Sequence, residues 1–207
     1  ENGVGVICCT SPAIPARKPF PMEDYLAHLA LAQEWCDAQG LYLHLCPGAE
    51  IYYAKDAVQH LREGKIPTLN NAGAVLVEFS TEAKYDTIRE AVRNLGNSGF
   101  PVMLAHIERY SALRKLERVE ELHEDLGAFI QINAGTFLFP HGFFEKRWLR
   151  KVMENGLCDI TATDAHNTDS RPCRLRKCYD LLASEWGRET ADKLCIENPA
   201  RLLNLNI

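Results

Sequence analysis

The sequence predicts an α/β fold in which parallel strands alternate with helices and close into a barrel, the helices outside. Three observations lead there. Short apolar runs rich in β-branched residues alternate, along 207 residues, with longer stretches of helical periodicity. Four of those runs end in residues able to bind a hard or borderline divalent cation: Glu50, Glu78, His106, and the pair Asp164 and His166. These ends are spread over most of the chain, as in a barrel whose site lies at the carboxyl ends of its strands, whereas an open doubly wound sheet would gather them at one crevice.

Val4 to Cys9 reads as the first strand, and Ser11, Pro12, Pro15, Pro19 and Pro21 then break the pattern into a long loop. Met22 to Ala38 is a helix, with Leu26, Leu29 and Ala30 apolar and Gly40 where a helix stops. Leu41 to Ile51 is the second strand and carries Glu50; Ala54 to Glu63 is a short helix closed by Gly64. An irregular connection over 66–70 leads to the strand Val75 to Phe79, which ends at Glu78. Helix Ala83 to Leu95 places Ile88, Val92 and Leu95 on one face, with Gly96 after it. Strand Val102 to Ile107 ends at His106, and helix Ser111 to Leu126 precedes Gly127. Strand Ala128 to Asn133 runs into a loop over 134–142, and helix Phe143 to Asn155 is expected to bury Phe144, Trp148 and Val152. The strand from Ile160 and a helix Cys173 to Trp186 complete the pattern.

The bulk numbers set limits. With 46% hydrophobic and 25% charged residues the chain has the composition of an ordinary globular protein, expected to form one domain over 1–207. A net charge of -5 argues against a nucleic-acid partner. No apolar run reaches the roughly 18 residues of a membrane span, which argues against membrane insertion. Eight cysteines without zinc-finger spacing read as reduced thiols of a cytoplasmic protein. The chain enters a strand almost at once after Glu1, without a methionine, so the reading expects a fragment.

Side chains on a strand repeat with a period of two, so Asp164 and His166 share a direction. Carboxylate oxygen and imidazole nitrogen without sulfur suit manganese, iron or zinc, and two or three such ions activate water and stabilise charge on a phosphoester. Taken singly, each residue also reads as a satisfied polar group at a strand end; together, burying several carboxylates without a cation is costly. Arg109 and Arg171 can reach the same mouth and hold a phosphate through paired hydrogen bonds. The bland reading gives them surface ion pairs with Glu108 or Asp169. His28, His60 and His123 read as solvated helix residues, His44 as a hydrogen-bonded core residue, and His141 as a rim residue within reach of substrate.

Seven short motifs then carry a family resemblance: Pro47-Gly-Ala-Glu-Ile-Tyr-Tyr53, Lys65-Ile-Pro-Thr-Leu-Asn70, Val77-Glu-Phe-Ser80, Ala105-His-Ile-Glu-Arg-Tyr110, Gln131-Ile-Asn-Ala-Gly135, Thr163-Asp-Ala-His-Asn167 and Glu197-Asn-Pro-Ala-Arg201. In this order they resemble the polymerase-and-histidinol-phosphatase (PHP) metal-dependent phosphoesterases, and within them the bacterial capsule and exopolysaccharide protein-tyrosine phosphatases of the CpsB/YwqE type. The resemblance implies a distorted (β/α)7 barrel, of which the first strand is missing from this chain. It implies a trinuclear metal centre, most often manganese, with Glu50, Glu78, His106, Asp164 and His166 among the ligands and Arg109 and Arg171 binding phosphate. The implied partner is the phosphotyrosine tail of a bacterial tyrosine autokinase, and a homo-oligomer is allowed. Two departures stand out. The family's Asp-x-His-x-His first strand has no counterpart, and Pro12 stands where the family carries a ligand histidine. Weak or absent activity is therefore expected of the isolated chain. Two alternatives stay open: the same chemistry on a small phosphomonoester, or a degenerate module that binds phosphotyrosine without hydrolysing it.

Overall fold

The computed structural model describes residues 3–206; Glu1, Asn2 and Ile207, the outer ends of the domain expected over 1–207, lie outside the described residues. Six strands form one sheet: β1 (Val6–Ala13), β2 (His44–Tyr52), β3 (Val75–Glu78), β4 (Val102–Leu104), β5 (Phe129–Asn133) and β6 (Ile160–Ala162). They lie side by side in chain order, and every neighbouring pair is parallel. Each crossover therefore advances in the same direction. The sheet curls into a half-barrel and has no switch point of the doubly wound kind.

Around it run α1 (Met22–Ala38), α2 (Ala57–Arg62), α3 (Tyr85–Asn97), α4 (Leu116–Glu120), α5 (Ala134–Leu138), α6 (Gly142–Glu154), α7 (Leu175–Trp186), α8 (Arg188–Asp192) and α9 (Asn198–Leu202). The period of two sorts the strands' side chains into two cores. Val75, Val77, Val102 and Leu104 face outward and pack with Ile88, Val92, Leu95, Val119, Trp148 and Leu182 of the helices. Leu76, Met103, Ala105 and Ile160 face into the curl, where Leu69, Leu202 and Leu203 cover them. Both faces of the central strands β3 and β4 are thus buried, as is usual in a parallel sheet, while β1 at the edge stays largely half-buried.

Several boundaries differ from the sequence pattern, each for a physical reason. β1 runs on through Ser11 and Pro12 to Ala13, because among the described residues it pairs only with β2, and a strand at that edge tolerates the missing proline N–H. His44 is the exposed first residue of β2, not a core residue. The helix expected over 111–126 is a 3-10 turn (Ser111–Arg114), then α4, then a π turn (Glu121–Asp125). In that turn His123 is half-buried and faces Asp159 at 3.2 Å. Gly96 lies inside α3, and Gly99 instead takes the left-handed turn, at φ 87.

Phe144 is 87% exposed, against expectation. The buried stripe of α6 is Glu145, Trp148, Leu149 and Val152. Glu145 is drawn inward because it accepts the His141 N–H at 2.6 Å and faces Arg114 at 3.3 Å, which rotates Phe144 into solvent. α1 is clasped to the sheet by polar contacts: the Tyr25 hydroxyl donates to the Cys9 carbonyl at 2.6 Å and accepts from Gly48 N–H at 2.8 Å. A Cβ on Gly48 would stand 2.7 Å from Cys8 Sγ, so only glycine admits this close approach. All eight cysteines are free thiols. No helix among the described residues is long and apolar enough to cross a membrane.

Candidate metal centre

The carboxyl ends of β2, β3 and β4 bring three side chains to one point. Glu50, Glu78 and His106 each offer a ligand atom, and these atoms lie within 4.8 Å of one another. The register explains the convergence: Glu78 is level with Tyr52, so Glu50 lies two residues back, on the same face of the sheet. His106 Nε2 stands 3.1 Å from Glu50 Oε1 and 3.6 Å from Glu78 Oε2.

His106 is aimed by its own backbone, which turns left-handed at φ 34, an uncommon conformation for a residue with a Cβ. Its N–H donates to Gln131 Oε1 at 2.8 Å, and the preceding Ala105 N–H bonds the Val77 carbonyl at 3.0 Å. The buried Tyr110 ring lies 5.9 Å from the imidazole, and its hydroxyl accepts the Phe79 N–H beside Glu78. Burial disfavours a charged imidazole, but hydrogen bonds to Glu50 and Glu78 outweigh it and push His106 up to about 9. In the absence of a cation a proton thus shares the point on which two carboxylates converge. His106 Nδ1 is buried without a partner. Two oxygen donors and one nitrogen aimed together form a set that fits a divalent cation.

Asp164 and His166 lie outside this trio. Asp164, left-handed at φ 48, directs Oδ2 to Arg109 at 2.6 Å and also to Arg171. Burial would raise its carboxyl, but the Arg109 and Arg171 guanidiniums and the Asn133 amide hold it below its ordinary value. His166 is half exposed, and its Nδ1 lies 3.0 Å from its neighbour's carbonyl, Asp164 O. The loop closes on itself. Asn167 Oδ1 accepts the N–H groups of Asp169 and Arg171 at 3.0 and 2.9 Å, and the His166 N–H reaches the Arg171 carbonyl at 2.9 Å. That closure is what returns Arg171 to Asp164.

Three polar residues that were not among the expected site residues join the two groups. Gln131, which receives the His106 N–H, donates to Asn133 Oδ1 at 2.8 Å; Asn133 in turn donates to Asp164 Oδ2 at 3.0 Å. Glu108, far from pairing with Arg109, is buried and accepts from Asn133 N–H and the Thr136 hydroxyl. Burial pushes its carboxyl up, the backbone N–H groups offsetting only part. The signal was present: Gln131 and Asn133 are polar at alternate positions of an apolar strand, in phase with a site at its end. Pro12 lies level with Glu50 across β1 and β2, directly beside the trio, and offers it no ligand atom.

A family model described as capsular polysaccharide synthesis, CpsB/CapC, matches residues 1–204. The chain belongs to the CpsB/CapC family. Among its relatives, the tyrosine-protein phosphatase CpsB of Streptococcus pneumoniae is 37% identical over 187 residues, which cover 87% of this chain and 75% of the relative. The namesake from Streptococcus agalactiae serotype V is 33% identical over 98% of this chain and 86% of its own length. A chain from the crystal structures of YwqE of Bacillus subtilis and CpsB of Streptococcus pneumoniae, there called unique metal-dependent tyrosine phosphatases, superposes with a TM-score of 0.87. That match spans all of this chain and 83% of the other at 24% identity, which establishes that the two share the fold. Within the CpsB/CapC family, then, this member presents, among the described residues, one partly buried trio whose atoms fit a cation and, beside it, an arginine pair closed over an aspartate.

Proposed function

We propose that the chain is a metal-dependent protein-tyrosine phosphatase. The observation that carries this is the adjacency of the Glu50, Glu78 and His106 trio to Arg109 and Arg171, joined through Asp164. When bound, a divalent cation supplies charge neutralisation and a more acidic water. The chain's own residues do the rest. Arg109 and Arg171 hold the phosphoryl oxygens by charge-assisted bonds, exchanging Asp164 for substrate. Asp164 and His166, freed from that closure, join the donors at the strand ends. Gln131 and Asn133 keep the two groups in register, and manganese is the favoured cation.

On this reading residues 1–207 act as one cytoplasmic phosphatase domain, alone or as a homo-oligomer. Its partner is the phosphotyrosine tail of an autokinase in capsule or exopolysaccharide synthesis, consistent with the capsular family and the phosphatases it resembles. The test compares phosphate release from a phosphotyrosine peptide and from histidinol phosphate, with manganese and with chelator. Peptide turnover that is manganese-dependent and exceeds turnover of histidinol phosphate is expected; preference for histidinol phosphate would replace the reading with a small-molecule phosphoesterase. One observation favours a second reading, a module that binds without hydrolysis: Pro12 beside Glu50 leaves the trio without a side-chain ligand from β1. Peptide binding that persists with no release of phosphate in manganese would select it.

A further inference from the structure

Three phenylalanines stand in water where the chain leaves the site. Phe139, Phe143 and Phe144 are 59%, 70% and 87% exposed, and the rings of Phe143 and Phe144 meet edge to face 6.0 Å apart. Each such ring offers an apolar area on the order of 150 Å² or more to a partner, and contiguous bare apolar patches mark interaction sites.

The ridge is tied to the site from two sides. α5 begins just after Asn133, whose amide holds Asp164, and Phe139 follows its last residue. The Arg174 guanidinium lies 5.2 Å from the centre of the Phe139 ring, three residues beyond the Arg171 that grips the same Asp164. Three residues of chain span at most about 11 Å, so the ridge starts close to the phosphate-holding arginines. Arg174 opens it with positive charge, and the exposed Lys146 and Arg147 continue it on α6.

The shape also selects the occupant. One concavity of about 650 Å³ lies between the start of β1 and α7 to α9, and another lies at the amino end of β4; both are away from the trio. A small phosphomonoester is held by a pocket that encloses it, whereas raised aromatic and cationic side chains suit an extended chain.

We propose that Phe143 and Phe144 form a docking ridge for an extended acidic polypeptide, one of whose apolar side chains seats on the two rings while its phosphorylated residue enters the site. This deepens the phosphatase reading and rests on it for the phosphorylated residue. The proposal sets the apolar residue about four positions from the phosphorylated one, an extended span of roughly 13 Å that clears the stretch of at most about 11 Å from Arg171 to Arg174.

The test uses the whole chain in manganese and two fluorescent acidic phosphotyrosine peptides, one with leucine four positions from the phosphotyrosine and one with serine there. Anisotropy reads binding, and p-nitrophenyl phosphate reads the chemistry without a polypeptide. Phe143→Ala with Phe144→Ala should weaken the leucine peptide about tenfold, leave the serine peptide within about twofold, and leave nitrophenyl phosphate hydrolysis unchanged. Phe144→Leu should keep most of the affinity. Equal losses for both peptides, or a change below about twofold for the leucine peptide, overturn the ridge. Turnover of nitrophenyl phosphate without binding of either peptide also overturns it and leaves the phosphatase reading standing. Peptides still told apart by a chain that never releases phosphate would uphold the ridge and remove the phosphatase reading.

Discussion

The ends of β2 to β4 and the end of β6 reach the same site by opposite means. At the first, Glu50, Glu78 and His106 project from strands whose outward neighbours Val77 and Leu104 are fully buried, and His106 is 4% exposed. At the second, a three-residue strand gives way to a loop, His166 is half exposed, and Asp164 is gripped by two arginines. Both ends carry a left-handed residue other than glycine, His106 and Asp164, each a strain of about 1 kcal/mol or more. The packed core holds the first in place, and ion pairs hold the second. The difference teaches that the trio is held ready by packing while the arginine pair is held by ion pairs, which on the proposed reading a phosphate would exchange for itself.

The sharpest way to break that contrast is His106→Ala, which removes the nitrogen donor and leaves two carboxylates facing each other. Manganese affinity by calorimetry should fall at least about a hundredfold, and phosphate release about a thousandfold. A loss below about tenfold would move the cation site elsewhere. Next, Arg109→Ala and Arg171→Ala should each lower kcat/KM by about ten- to a hundredfold with manganese affinity unchanged. Arg171→Lys should not rescue, because an ammonium lacks the planar fork.

A third effect follows from acidity. His106 is raised to about 9, so its pairing with Glu50 and Glu78 stabilises the cation-free chain fully below its unfolded value, about 6.5, and that contribution is lost as pH rises through about 9. A cation needs the neutral imidazole, so manganese affinity should rise up to about tenfold per unit between pH 7 and 9. Calorimetry in two buffers of different ionisation enthalpy should count close to one proton released. The smallest effect is expected from Asn133→Ala, which removes one donor from Asp164 and should move its carboxyl back toward the ordinary value by well under the two guanidiniums' share, as read by carbon NMR titration. A shift larger than that of Arg109→Ala would mean that the amide, not the arginines, holds the loop.

The strand-helix alternation was legible because each strand is a short apolar run and helices end at glycines that turn left-handed, as Gly40, Gly64, Gly127 and Gly156 do. Glu50, Glu78 and His106 were legible as polar residues at apolar strand ends; period two puts Glu50 and Glu78 on one face, whereas His106 joins them only through its left-handed backbone. Two things were not. The pairing of Asp164 with both arginines depends on how the loop over 163–174 folds back through Asn167, and no periodicity encodes that. The exposure of Phe144 depends on Glu145, a charged residue taken inward by the His141 N–H and Arg114, which shifts the buried stripe of α6 by about one position.

Strand order has a consequence in time. Because every strand pairs with the one before it in the chain, the sheet can grow in the direction of synthesis without waiting for a distant partner. The cation trio is complete once residue 106 has docked, whereas Gln131, Asn133, Asp164 and Arg171 arrive later. On the proposed reading, the three candidate cation ligands are thus placed before the residues that would hold phosphate, and Gln131 then fixes His106 from the next strand.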